Sequence, residues 1–244
     1  MTFQPNQPGG GLGHSGTDRI PVPSPSQSTV AVQGAFLTQA FFWMFAGLMV
    51  TAAIAAFAQF NPALQEFAAR NFIILVIAQL ALAIGIQWGI NRIGATVALG
   101  LFFIYAASLG VTIGLIVSLY TGESVATAFL SAGAMFGGAA LYGYTTKRSL
   151  ASIGAFAYMA VIGLFVAILV NWFLASSALG YIISIIGVIL FTILTAWDVQ
   201  RISSGQLVAQ LGSVEKAAVI GALHLYLDFV NLFLFLLRLT GGRR

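Results

Sequence analysis

The sequence predicts an all-α polytopic membrane protein, a bundle of seven transmembrane helices. Of its 244 residues, 59% are hydrophobic and only 7% are charged, whereas soluble proteins carry about 25% charged residues. Ten Lys and Arg and six Asp and Glu are too few to cover a surface that faces water, so most of the surface must face lipid. The apolar runs are continuous and do not alternate over ~10 residues, which excludes a transmembrane β-barrel.

Seven apolar runs after residue 34 have about the 20 residues that a helix needs to cross a membrane. We predict transmembrane segments at 35–58, 71–90, 95–120, 125–144, 153–172, 179–203 and 221–239. Charged and turn-forming residues occupy the gaps between these runs. Of these gaps, only the polar stretch 204–216 is predicted to be long enough to hold structure of its own.

Residues 1–32 are predicted to form a disordered tail, and residues 33–244 a seven-helix membrane domain. The tail holds five of the six prolines and a glycine-rich run, with few large apolar side chains, a composition that does not support a packed core. It lacks the basic and apolar regions of a signal peptide, so the first membrane helix is expected to act as the insertion signal.

The basic residues predict a protein of the inner (plasma) membrane with a cytoplasmic N-terminus. Before the C-terminus, alternate loops place all Lys and Arg except Arg70 on one side: Arg19, Arg92, Lys147, Arg148, Arg201 and Lys216. Loops rich in Lys and Arg stay in the cytoplasm. These basic side chains are isolated between apolar runs, so we predict no nucleic-acid partner. The basic C-terminal end, which includes Arg238, favours instead a last segment that enters the membrane and returns, and the charge rule leaves both topologies open.

Asp198 and Asp228 are the ionisable residues that topology does not explain. An ionisable side chain in hydrocarbon costs about 2.5–3.5 kcal/mol, so it requires a partner or a path for water. Asp198 lies near the end of the sixth segment, in TAWDVQRISS, and Asp228 lies in the seventh, in ALHLYLDFVNLFLFLLRLT. At about 100° per residue, the helix faces that carry Asp198 and Asp228 also carry other polar side chains. The residues concerned are Thr195 in the sixth segment and His224, Asn231 and Arg238 in the seventh.

The two aspartates can meet only if they lie at the same depth. Asp198 lies ~5 Å from Arg201 along the helix, whereas Asp228 would lie ~18 Å from Lys216 in a helix that started there. We therefore expect 208–218 to lie along the interface and the seventh segment to begin near Gly221, which places Asp228 at ~10 Å.

Two neighbouring carboxylates in a low dielectric cannot both ionise at neutral pH, so we expect Asp198 and Asp228 to share a proton. Deprotonation repels the two helices unless a cation or an arginine compensates, and this ties helix separation to pH or to a metal ion. Oxygen ligands suit Ca²⁺, which makes the two aspartates candidate metal ligands.

The alternative is a static pair that serves only helix packing. Arg201 or Arg92 would then neutralise Asp198, and Arg238 or His224 would neutralise Asp228. His224 itself is a candidate metal ligand, proton shuttle or hydrogen-bond partner. Arg92, at the end of the second segment, is either a latch for Asp198 or a topology signal.

These two acidic segments resemble the signature of the Bax inhibitor-1 family, also called the transmembrane Bax inhibitor motif family. The resemblance is specific in A-x-x-L-Y-L-D-F-x-N-L-F-x-x-L-L-R and weaker in the INR end of the second segment and in F-x-x-Y-A-x-x-x-G. The short membrane domain resembles a bacterial member. The resemblance implies that the last helix runs through the middle of the other six.

The resemblance also implies a pH-sensitive calcium leak channel whose proton-sensing pair is Asp198 with Asp228. An arginine of the second helix partners the sixth-helix aspartate in such a channel, and Arg92 is the nearest candidate. The expected partners are therefore the lipid bilayer, protons and Ca²⁺ as the transported or bound ion, with no other cofactor.

Two other functions stay open at this point. One is a membrane interaction protein that modulates a partner such as a membrane protease or a cell-death factor. The other is a proton-coupled antiporter that uses the same carboxylates. An enzyme is not expected, because the membrane domain has no Ser/His/Asp set, paired metal histidines or phosphate loop, and His224 is its only histidine.

Overall fold

The computed structural model describes residues 25–242, with side chains from residue 36 onward, and this part contains helices and no extended strand. The helices are α1 (Pro25–Gln59), α2 (Pro62–Arg70), α3 (Phe72–Gly89), α4 (Ala95–Val117), α5 (Gly122–Thr145), α6 (Ala151–Leu174), α7 (Ser177–Ser203), α8 (Gln206–Leu211) and α9 (Val214–Thr240). All except α2 and α8 are long and apolar enough to cross a membrane. The prediction of an all-α polytopic membrane protein is confirmed.

The first helix is longer than its predicted span. It begins at Pro25, a residue type that is compatible with the first helical turn, and no further proline follows until Pro62. Residues 25–32 of the predicted disordered tail are therefore helical, and the rest of that tail lies outside the described residues.

The first connection also holds structure, contrary to the prediction that only 204–216 would. Helix α2 forms there because the Asn61 side chain accepts a hydrogen bond from the Leu64 amide at 3.1 Å, and Pro62 occupies the first helical position.

The last long helix begins earlier than predicted. At Val214, the Ser213 hydroxyl accepts from the Lys216 amide at 3.2 Å and donates to the Glu215 carboxylate at 2.8 Å. This is an N-terminal cap, so the predicted start near Gly221, with 208–218 along the interface, is wrong. The connection from α7 is filled by α8, whose flanking glycines, Gly205 and Gly212, have left-handed φ angles of 73° and 64°.

Helix α9 is the most buried of the seven spans. It packs against α1, α4, α5 and α7, and it runs without interruption over 27 residues, or ~40 Å. That length is incompatible with a segment that enters and returns. A position in the middle of all six other spans stays a prediction. By contrast, α3 and α6 expose large apolar side chains on their outer faces, as expected of helices that face lipid.

A buried hydroxyl cluster joins α1, α4 and α9. The Thr51 hydroxyl lies 2.6 Å from the Tyr226 hydroxyl and 2.8 Å from the Ala106 carbonyl. A carbonyl can only accept, so the single Thr51 proton points to a carbonyl and Tyr226 donates to Thr51. This cluster links three helices at the centre of the apolar core.

The Tyr226→Phe substitution is expected to lower the free energy of unfolding by about 1 kcal/mol, the usual net value of one buried hydrogen bond. Thermal unfolding in detergent measures the change. The matched control is Tyr158→Phe, because the Tyr158 side chain is 54% exposed. Equal effects of the two substitutions would contradict the role of the cluster.

Candidate functional site

The predicted aspartates lie on two neighbouring antiparallel helices, α7 and α9. Both are buried, Asp198 with 7% and Asp228 with 4% of its surface exposed. Two contacts connect the helices at successive levels. The His224 Nδ1 atom lies 3.6 Å from the Asp198 Oδ1 atom, and the Thr195 side chain lies close to Asp228. The two carboxyl groups therefore lie about one turn apart in depth and interact electrostatically.

Asp198 and Asp228 approach each other because the neighbouring ends of α7 and α9 are offset along the bundle. Gly221 faces Ile202, whose side chain would lie 3.1 Å from a Cβ at that glycine. The prediction assumed that Lys216 and Arg201 lie at one depth, but α9 extends about two turns beyond Ile202. Residues 217–220 in that extension are buried. A straight α9 thus brings Asp228 towards Asp198 without the predicted bend.

Asp198 has a permanent counter-ion. The Arg201 Nη1 atom donates to the Asp198 Oδ1 atom at 3.1 Å, and the guanidinium lies over the Trp197 ring with 4.7 Å to its centroid. The ring and the carboxylate hold the cation from two sides. Arg201, one of the counter-ions considered above, is therefore the arginine beside Asp198.

Asp228 has no such counter-ion in the described part of the chain. Its Oδ2 atom is buried without a hydrogen-bond partner. The nearby Thr195 hydroxyl donates to the Phe191 carbonyl of its own helix at 2.8 Å, so its single proton is used within α7.

The other predicted site residues lie apart from the pair. Arg92 is exposed in the connection between α3 and α4. The Asn231 amide donates to the Leu227 carbonyl at 2.8 Å, within its own helix. Arg238 is exposed and lies against Gly180 at the opposite end of the bundle, ~15 Å from Asp228 along α9. The structure brings Thr195 and His224 to the aspartates, and it does not bring these three.

One contact at the site was missing from the predicted set. The Gln87 Oε1 atom of α3 lies 3.2 Å from the His224 Nε2 atom. The available signal was an amide within an apolar helix, but the sequence does not show which neighbour it meets.

No three His, Asp or Glu side chains of residues 25–242 form a group that could hold a metal ion. A calcium site formed by Asp198 and Asp228 alone stays a prediction.

Comparison with known proteins agrees with the acidic signature. Residues 33–244 match the family model described as "Inhibitor of apoptosis-promoting Bax1". The chain is 43% identical over 215 residues to the inner membrane protein YbhL of Escherichia coli K12, which covers 86% of this chain and 92% of that protein. It is 38% identical over 213 residues to the protein YrjE of Lactococcus lactis, with 85% and 90% covered. The chain therefore belongs to the Bax inhibitor-1 family of multi-pass membrane proteins.

Proposed function

We propose that this protein is a pH-sensitive calcium leak channel of the inner (plasma) membrane, gated by Asp198 and Asp228. The observation that supports this most is the charge imbalance of the pair. Two buried carboxyl groups on adjacent helices face one permanent cation, Arg201. One proton on the pair makes this group of three side chains neutral.

Loss of that proton leaves one uncompensated negative charge between α7 and α9. An unpaired charge in the protein interior costs several kcal/mol after relaxation, and two carboxylates at short range repel each other. The helices then separate, or a cation enters. Carboxylate oxygens are ligands that Ca²⁺ prefers, so the same event opens a path and attracts the ion.

The contacts of α9 explain how such an event reaches the whole bundle. The helix packs against α1, α4, α5 and α7, so a change at its contact with α7 alters the packing of four spans. The channel interior proposed here follows the polar faces of α7 and α9.

We propose that the N-terminus is cytoplasmic, and the support for this orientation is the position of the basic residues at one end of the bundle. Gln200, next to Arg201, bonds the backbone at Arg148 and Leu150 at 2.8 Å each, so Lys147 and Arg148 lie at the Arg201 end of the bundle. Basic residues mark the cytoplasmic side.

Calcium flux into liposomes tests the proposal. Purified protein is reconstituted with a calcium dye inside, and flux is recorded from pH 6 to pH 8. We expect the native flux to change with pH by up to about tenfold per unit, the limit for one titrating proton. The double variant Asp198→Asn with Asp228→Asn is expected to give the same flux at each pH.

The matched control removes two acidic charges elsewhere. Glu66 in the short helix α2 and Glu123 in the first turn of α5 are exposed and are not part of the aspartate pair, so Glu66→Gln with Glu123→Gln should follow the native profile. Identical pH profiles for the native protein and the double aspartate variant would overturn the channel proposal.

A further inference from the structure

Helix α2 lies at a boundary of the membrane and is too short to cross it. It connects the end of α1 to the start of α3, and both of these helices are membrane spans. Near the start of α1, Ala40 lies beside Gly221 at the Arg201 end of the bundle, so α1 ends and α2 lies at the opposite end. The nine residues of α2 measure ~14 Å, less than half of the ~30 Å of hydrocarbon in a bilayer.

Two adjacent faces of α2 are apolar, and only one of them contacts the protein. Ala68 is buried and Leu64, one turn earlier, is half-buried, so this face packs against α1 and α4. Phe67 and Ala63 share the next face at helical spacing, and both are exposed, Phe67 with 51% of its surface. The second apolar face therefore has no cover within the chain.

The charged side chains of α2 lie on a third face. Arg70 pairs with Glu66 at 2.7 Å, and 76% and 63% of these two side chains are exposed. Around the helix, the exposed apolar face lies between the face that packs on the protein and the charged face. A helix at the surface of a bilayer has such an arrangement, because its charges stay in water while its apolar side chains enter the lipid.

The exposed apolar face of α2 continues the surface that the spans present to lipid. Phe57 in the last turn of α1 and Ile74 in the first turn of α3 are exposed on the two sides of α2 in the chain. Phe60, in the turn between α1 and α2, has 87% of its surface exposed. Lipid must cover the outer faces of the two spans, so the same lipid is at hand to cover Phe60 and Phe67.

We propose that α2 is a membrane-anchoring helix that lies in the interface between lipid headgroups and acyl chains, with Phe60 and Phe67 directed towards the acyl chains. Its partner is the phospholipid surface on the side of the membrane where α1 ends. The helix then fixes the depth at which α1 leaves the membrane and α3 enters it. This inference does not depend on the proposed channel function.

Spin labels on α2 test the proposal in liposomes of phosphatidylethanolamine and phosphatidylglycerol. The chain has no cysteine, so Ala63→Cys or Ala69→Cys, both at exposed positions, provides a single site for the label. Collisions with oxygen, which concentrates in the bilayer, and with a water-soluble nickel chelate report depth. We expect the label at 63 to lie about 5–10 Å deep in the interface. The label at 69, about 120° around the helix, should be shallower by about 8 Å.

Two results would overturn the inference. Equal access of the nickel chelate to both labels would place α2 in water. Protection of the label at 63 from both reagents would show that protein, such as a second copy of the chain, covers this face instead of lipid.

Replacement of the two rings tests whether they hold the helix in the lipid. With the label at 63, Phe60→Ser with Phe67→Ser should move the label towards water by a few ångströms. The matched control is Phe156→Ser with Phe173→Ser, because these rings are 65% and 84% exposed on α6, and it should leave the depth unchanged. Equal depths for the native rings and the Phe60 and Phe67 variant would contradict the anchoring role.

Discussion

The Asp228→Asn substitution is expected to make the folded protein more stable than the native protein at pH 8, with little change at pH 6. Asp228 is buried beside Asp198 without a cation of its own. An ionised carboxylate buried there without a counter-ion destabilises the folded protein, whereas water solvates the same charge in the unfolded chain. Stability from such a group is present at low pH and is lost as pH rises.

We expect the native protein to lose on the order of 1 kcal/mol of its free energy of unfolding between pH 6 and pH 8. Asparagine cannot ionise, so the variant should not show this slope. Asparagine has nearly the same size and shape as aspartate, and the Thr195 bond to the Phe191 carbonyl does not involve residue 228.

The control for this prediction is Asp198→Asn. This change removes the acceptor of Arg201 and leaves a half-buried cation unpaired, so it should not stabilise the protein at pH 8. Thermal unfolding followed by tryptophan fluorescence from pH 6 to pH 8 measures all three proteins. Parallel pH slopes for the native protein and Asp228→Asn would contradict the argument.

The seven spans could be predicted because lipid leaves the chain little choice. A backbone in hydrocarbon must bond to itself, so an apolar run of about 20 residues becomes a helix. The aspartates were equally visible, since so few charges lie within the spans. Neither inference needed knowledge of how the helices pack.

The depth of each residue within the bundle could not be predicted from the sequence. A helical projection places Arg238 on the same face as Asp228, but it ignores that the two are ten positions apart in sequence, and Arg238 lies at the opposite end of the bundle. The start of α9 depends on the Ser213 cap, and its offset from α7 depends on α8. The contact of Gln87 with His224 likewise arises from the packing of α3, which leaves no periodic signal.

Glycine positions show the same division between pattern and packing. The sequence has 27 glycines, and spacing alone does not distinguish those at helix contacts. On α5, a Cβ added at Gly137 would have no neighbouring atom within 4 Å, whereas a Cβ on Gly143 would collide with the carbonyl oxygen of Ala196 on α7. The two positions are therefore expected to respond very differently to one added methyl group.

The Gly143→Ala substitution is expected to destabilise the protein by about 3 kcal/mol, the upper range for overpacking of a rigid contact. The obstacle is the backbone of α7, which cannot rotate aside as a side chain does. Gly137→Ala adds the same methyl group to the same helix in open space, so its effect should stay within about 1 kcal/mol. Unfolding midpoints in one detergent compare the two, and equal midpoints would contradict a close contact at Gly143.

The position of Ala196 gives this substitution a second consequence. Ala196 lies between Thr195 and Asp198 on α7, so a displacement of α7 away from α5 also shifts both side chains relative to Asp228. The Gly143→Ala protein should therefore lose part of the pH dependence of stability expected for the native protein, whereas Gly137→Ala should keep it. A destabilised variant with an unchanged pH slope would show that the α5–α7 contact does not influence the aspartate pair.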